Sequence, residues 1–205
     1  MTDSDTPEAP APPEAPRERN ITDARAMRAL AHPVRVSLMQ LLAQEGQLTA
    51  TRAAEVLGES PGNMSWHLQT LARYGLVEEV EGVRGRSRPW RVVSASHSIE
   101  TVSAAPEVVR AAQALEESFQ VRSNEMQREW WSARSSYPEE WQRAAFTFDI
   151  VSHLTADEVN ELSAEINNLI ARFRGRGRDH SMRPPGALPI HLTANCHPLP
   201  AADGD

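Results

Sequence analysis

The sequence predicts a mainly helical α+β protein, and three observations carry that prediction. Between residues 22 and 74, apolar residues recur at helical spacing in four short stretches punctuated by proline and glycine. Between residues 76 and 93, two strand-like runs flank a tip rich in Gly and Arg. From Pro106 onward a long helical pattern is followed by strand-like alternation, a helix-start signature and a second alternation. Together these predict an N-terminal winged helix-turn-helix, a long dimerisation helix and a small C-terminal strand–helix–strand unit.

The first helix is expected from Thr22 to Ala31, with Thr22 as cap and Asp23 in the first turn. His32-Pro33 ends it, and Pro33 suits the first turn of the next helix. That second helix places Val34, Leu38, Leu41 and Leu42 on one face, and Gly46 closes it. Ala50 to Leu57 is a short third helix, in which the small Ala54 allows a close helix crossing. Gly58 supplies the backbone freedom for a tight interhelical turn. Ser60-Pro61 starts a fourth helix, which runs to about Tyr74 and stops at Gly75.

The fourth helix buries Met64, Leu68 and Leu71. That leaves Ser60, Gly62, Asn63, Ser65, Trp66 and Gln69 at its N-terminal end and outward side, where a recognition helix meets base edges and phosphates. His67 reads as a packing residue beside Leu68, and Trp66 either touches DNA or folds back on its own helix. Arg52 stands near the start of the third helix, as a phosphate contact or a solvated charge. Leu76–Glu81 and Pro89–Val93 read as two strands, and the tip between them carries Arg84, Arg86 and Arg88 without an acid. Such a tip suits phosphates or a minor groove.

These residues resemble the ArsR-type winged-helix regulators, in the branch with an extra C-terminal domain. The resemblance is carried by Ala29-Leu30-Ala31-His32-Pro33-Val34-Arg35, Ser65-Trp66-His67-Leu68-Gln69-Thr70-Leu71 and Gly75-Leu76-Val77-Glu78, and covers roughly residues 22–93. It implies DNA contact at Asn63, Ser65 and Trp66, with Arg84–Arg88 as the wing. One departure is plain. Metal-sensing members carry a cysteine pair in the helix before the recognition helix, whereas Leu48 to Leu57 holds no cysteine. Sensing of arsenic or cadmium in that mode is therefore not expected.

Net charge is −7 over 205 residues, but it is unevenly spread. Residues 20–94 carry +2, against −3 in residues 1–19 and −6 in residues 95–174. The candidate DNA-binding segment is thus the positive one, and the acidity belongs to the partner half. No lysine occurs, so every fixed cation is an arginine, the better fork for phosphate and guanine. The single Cys196 excludes an internal disulfide framework and fits a reducing cytoplasm. No signal-peptide pattern and no run of membrane-spanning length is visible. The Pro-rich residues 1–19 read as a disordered tail.

Residues 95–105 read as a linker, and residues 106–205 as the dimerisation helix with a small α/β domain. In the helix, Val108, Ala112, Leu115, Phe119, Arg122, Met126 and Trp130 step by fours and threes like a coiled-coil seam. Leu115, Phe119, Met126 and Trp130 are the expected dimer contacts, and packing on its own domain is the alternative. Phe146 to Leu154 alternates like a half-buried strand. Thr155-Ala156-Asp157-Glu158 then reads as a capping box, and the following helix carries the stripe Val159, Leu162, Ile166, Leu169 and Phe173. A loop at 175–187 leads to a second alternation from Leu188 to Cys196. Asp179, His180, His191, Cys196 and His197 have irregular spacing, so no metal site and no cofactor is expected. No phosphate loop or nucleophile motif points to an enzyme.

The resulting expectation is a cytoplasmic, homodimeric transcriptional regulator. It binds double-stranded DNA at an inverted repeat, as a repressor by family resemblance, with room for a small-molecule effector. The rival is a winged helix serving as a protein-interaction or assembly module, which would not need the arginine tip.

Overall fold

The computed structural model describes residues 19–80, 88–93, 97–98 and 105–200. A short strand β1 (Arg19–Asn20) leads into α1 (Ala24–Leu30), α2 (Pro33–Glu45), α3 (Ala50–Leu57) and α4 (Pro61–Arg73). The α1 cap is Asp23, whose carboxylate accepts from the Arg25 amide at 2.9 Å, so the helix starts one residue beyond the Thr22 expectation. Ile21 is buried just ahead of that cap and fixes where the chain enters the core. Pro33 opens α2 as expected, and Gly46 ends it at φ 79°. Thr49 caps α3 by accepting from the Arg52 amide at 3.2 Å. Gly58 ends that helix in the left-handed region at φ 69°, where an L side chain would be strained.

The wing strands are β2 (Val77–Glu79) and β3 (Trp90–Val92), paired antiparallel with Val77 opposite Val92 and Glu79 opposite Trp90. A bridge invisible in the sequence pattern adds Leu48, which exchanges backbone hydrogen bonds of 3.0 and 2.7 Å with Trp90. It ties the entry to α3 to the hairpin. A second surprise is β4 (His97–Ser98), inside the segment expected to be a linker, which pairs in parallel with β1. The chain therefore returns to the start of the domain before α5 (Pro106–Ala133) begins, and α5 packs chiefly on α1.

That packing changes the reading of Leu115 in the expected seam. Leu115 is fully buried within its own chain, in one cluster with Met27, Leu30, Leu38, Leu42, Met64, Leu68 and Leu71. Ala111 and Ala112 are buried beside it, and their small side chains let α5 approach closely. Phe119 lies half-buried against the same core. Ser118 donates to the Ala31 carbonyl at 2.6 Å, closing the end of α1. Arg122 is an intrachain bridge, donating to Gln40 of α2 and to Glu125 and Glu129 of α5, each at 3.1 Å. Met126 and Trp130 are half-exposed, and Trp130 meets the Tyr137 ring at 5.1 Å between centroids.

After a 3-10 turn at Arg134–Ser136 comes α6 (Glu139–Ala144). The capping box is present: Thr155 accepts from the Glu158 amide at 3.3 Å, and the Glu158 carboxylate accepts from the Thr155 amide at 2.7 Å. It starts α7 (Ala156–Ala171), which buries none of its residues. The two flanking strands expected from the sequence do not form. Residues 146–154 and 188–200 hold no regular secondary structure and make no backbone–backbone hydrogen bond among the described residues. Alternation sets an extended backbone; a ladder also needs a neighbour about 4.8 Å away, and this chain brings none. The expected loop at 175–187 instead holds α8 (Gly175–Arg178) and a 3-10 turn at His180–Met182. Arg183 ties it to the end of α2 by donating to the Gln44 carbonyl at 3.3 Å.

This arrangement sets a stability test. Leu115→Ala removes a fully buried side chain from the shared core and is expected to cost about 2–5 kcal/mol, whereas Met126→Ala costs about 1 kcal/mol or less. Urea unfolding of both variants measures the difference.

Candidate nucleic-acid interface

The interface is built on α3, the turn at Gly58 and α4. Ala53 and Ala54 of α3 are buried, and so are Met64, His67, Leu68 and Leu71 of α4. The opposite face of α4 is left to solvent. Gly62, Trp66 and Gln69 are exposed on it, and Asn63 and Ser65 are partly so. Ser60 caps the helix by accepting from the Asn63 amide at 3.1 Å. A Cβ added at Gly62 would meet nothing within 4 Å, so the first turn is open to an approaching phosphate. The sequence-predicted residues Ser60, Gly62, Asn63, Ser65, Trp66 and Gln69 thus share one helix end and face.

Two of them have partners that the sequence reading missed. The Asn63 side-chain amide donates to the Glu59 carboxylate at 2.7 Å, which restrains its rotamer. The signal was present as an acid four residues upstream, at the end of the interhelical turn. Trp66 is 52% exposed, so its ring lies on the surface rather than folded into the core. It is held at its edge by the His67 ring at 4.8 Å and lies 5.8 Å from the Arg35 guanidinium carbon.

Behind Trp66 lies a polar cluster of His32, Arg35 and His67. The two imidazoles are 5.0 Å apart. Arg35 and His67 are buried, and neither Arg35 Nε nor His67 Nδ1 has a hydrogen-bond partner. Burial is the main cause holding both histidines below their ordinary pKa, with the Arg35 charge acting in the same direction. His67 therefore packs, as expected. Arg35 was missed because one arginine in a helix reads as a surface charge.

The wing is only partly in view. Arg84 and Arg86 lie outside the described residues. Arg88 is described, and its neighbour is an acid from outside the tip: it pairs with Glu79 of β2 across the hairpin at 3.0 Å. Arg91 pairs with Glu78 at 2.8 Å, and Arg52 with Glu55 at 2.9 Å. All three pairs are solvent-exposed, so each is weak and open to exchange for a phosphate. No group of three or more His, Cys, Asp or Glu converges as metal ligands among the described residues. No helix there is long and apolar enough to cross a membrane.

Comparison with known proteins meets this geometry at the same residues. Residues 30–80 match the family model of a helix-turn-helix domain. Among solved structures the chain is similar to a possible transcriptional regulator for arsenical resistance, with 28% identity over 46% of this chain and 83% of that one, at a TM-score of 0.31. It is similar to the homodimeric winged helix-turn-helix DNA-binding domain of Mb0332 from Mycobacterium bovis, a possible ArsR-family transcriptional regulator. There the identity is 26% over 50% of this chain and 78% of that one, at a TM-score of 0.32. A transcriptional regulator homologue from Pyrococcus horikoshii OT3 shares 21% identity over 48% and 87% of the two chains, at a TM-score of 0.30. No curated protein matches the chain. A helix-turn-helix domain therefore occupies residues 30–80, inside the segment whose motifs resemble the ArsR type.

His67, buried, and its exposed neighbour His32 set a pH dependence. Their folded-state pKa values lie below the ordinary 6.5, so the unfolded chain binds more protons and stability falls as pH drops below about 6.5. His67→Gln removes one of the two sites. Thermal melts between pH 7.5 and 5 should show a shallower acid-side loss for His67→Gln than for the parent, and equal slopes would refute the assignment.

Proposed function

We propose that this chain is a DNA-binding transcriptional regulator of ArsR type that reads an inverted repeat as a homodimer and acts as a repressor. The observation that carries the reading is the free face of α4. A capped, glycine-open helix end presents Asn63, Ser65, Trp66 and Gln69 side by side, on a helix-turn-helix flanked by an antiparallel hairpin. Asn63 and Ser65 read bases. The exposed Trp66 ring covers a thymine methyl or a sugar. Arg84 and Arg86 of the wing, with Arg52 and Arg88 once released from their acids, neutralise phosphates. Two half-sites supply the specificity that one module lacks. A dimer seated across a promoter excludes other proteins from it, which is repression by occupancy.

Selection from random duplexes with the full chain gives the operator, and two variants then divide the roles. Asn63→Ala or Ser65→Ala should weaken operator binding by about 1–3 kcal/mol while leaving random DNA nearly unchanged. Arg86→Ala should weaken both alike and flatten the log–log salt dependence by about one unit for each wing engaged. Unchanged affinity and slope for Arg86→Ala, with no sequence recovered by selection, would replace this reading with that of a protein-interaction module.

A further inference from the structure

The C-terminal third of the chain has the parts of a domain but not its core. Phe146, Phe148 and Ile150 alternate along one extended segment and are 69%, 83% and 81% exposed. Leu188, Ile190 and Leu192 alternate along the other, at 40%, 70% and 53%. Between them α7 leaves Leu162, Leu169 and Phe173 uncovered. The acids Glu158, Glu161 and Glu165 lie to one flank of that stripe rather than within it. Neither extended segment makes a backbone–backbone hydrogen bond among the described residues.

We propose that a second copy of this chain covers these surfaces: residues 146–154 and 188–196 of two copies join into one shared sheet, with an α7 helix from each copy packed on it. The inference deepens the dimer of the reading above and rests on that dimer, but on no DNA contact.

Three observations select a second copy over closure within one chain or a foreign partner. The first is strand number. One chain has two segments of strand-like alternation and one helix here, and a two-stranded sheet is marginal in water, whereas three or more strands with an apolar face are self-supporting. Two copies supply four strands and two helices. The second is tethering. The 188–196 segment is held at both ends on its own chain, by Arg183 on the Gln44 carbonyl and by Asn195 donating to Gln120 of α5 at 3.3 Å. Its middle is thus presented as a fixed edge, and an unpaired apolar edge is a template for another strand. The third is area. The uncovered apolar side chains named above amount to on the order of 800–1,000 Å² per copy, against about 800 Å² per partner in a stable complex. The −6 charge of residues 95–174 argues against nucleic acid as the occupant.

The surface has two-fold character, because each copy offers both segments and needs both. His191 lies in the tethered segment. Partial desolvation, with the charge of Arg122 of α5, holds its pKa below the ordinary value. Since Arg122 also bonds Gln40, the shared sheet connects through α5 to the helix-turn-helix of each copy.

The test uses the full chain without DNA. Sedimentation velocity should show a dimer for the parent. Ile150→Asp and Ile190→Asp, both at positions exposed in the single chain, should each raise the dimer dissociation constant about 30-fold or more. Thermal unfolding of the N-terminal core should not move. Hydrogen exchange should show amides of 146–154 and 188–196 protected in the parent and fast in either variant. A parent dimer unaffected by both substitutions would overturn the proposal, as would a monomeric parent. Protection that persists in a monomeric variant would show strand pairing inside one chain and overturn it too. Selective loss of operator binding in Asn63→Ala tests the DNA reading separately, so the two can fail independently.

Discussion

The seating of α5 on α1 is the contact on which the rest of the structure depends. The helix-turn-helix segment alone has a small core, built from short helices and a three-residue hairpin pair. Leu115 completes it from a helix that begins more than thirty residues after α4 ends. Ala111 and Ala112 make the close approach feasible, and the β1–β4 pairing positions the chain for it. The polar contacts of Ser118 with Ala31 and of Arg122 with Gln40 then set the rotation of α5 about its axis. Because α2 also supports α4, the direction of α5 is coupled to the orientation of the exposed α4 face.

The N-terminal fold was legible because its signals are local. Pro33, Thr49, Gly58, Ser60 and Pro61 act within one turn of where they stand, and each appears in its expected role except Thr49, whose cap went unnoticed. The shared face of α4 followed from the 3.6-residue period alone. What escaped was non-local. The Leu48–Trp90 bridge and the β1–β4 pairing join residues more than forty positions apart, and two-residue strands have no period to read. The cover of Leu115 in the α5 seam escaped for a related reason. A heptad pattern states which face is apolar, not whose side chains cover it, and Leu115 finds its cover in its own chain.

The candidate site shows the same division. The residue set on α4 was visible, but its electrostatics were not. Glu59 holds Asn63, Glu79 holds Arg88 and Glu55 holds Arg52, so the acids that lower the net charge of this domain hold the very groups that would meet DNA. Exposed pairs of this kind contribute little to folding. Their effect is on binding: each must open before a phosphate takes the acid's place, and the surplus charge of the acid remains nearby. An arginine-only surface suits that exchange, since the guanidinium fork accepts carboxylate or phosphate with the same geometry.

If two copies bind an inverted repeat as proposed, that geometry gives the unburied C-terminal third a role. Two recognition helices must enter successive major grooves about 34 Å apart, which requires a rigid link between copies. A seam along α5 could not provide it from Leu115, because that side chain is already committed to the N-terminal core. The next apolar positions, Met126 and Trp130, are half-exposed, and Trp130 already meets Tyr137 of its own chain. Val121 and Trp131 of α5 are exposed too, but the larger set of uncovered apolar side chains is on residues 146–154 and 188–192 and on α7. A sheet shared there would fix two α5 helices relative to each other. Through α1 and α2, it would then fix the distance between two α4 faces. In the proposed dimer, the surface that joins the copies and the face that reads DNA are thus distinct, coupled by one helix seated at Leu115.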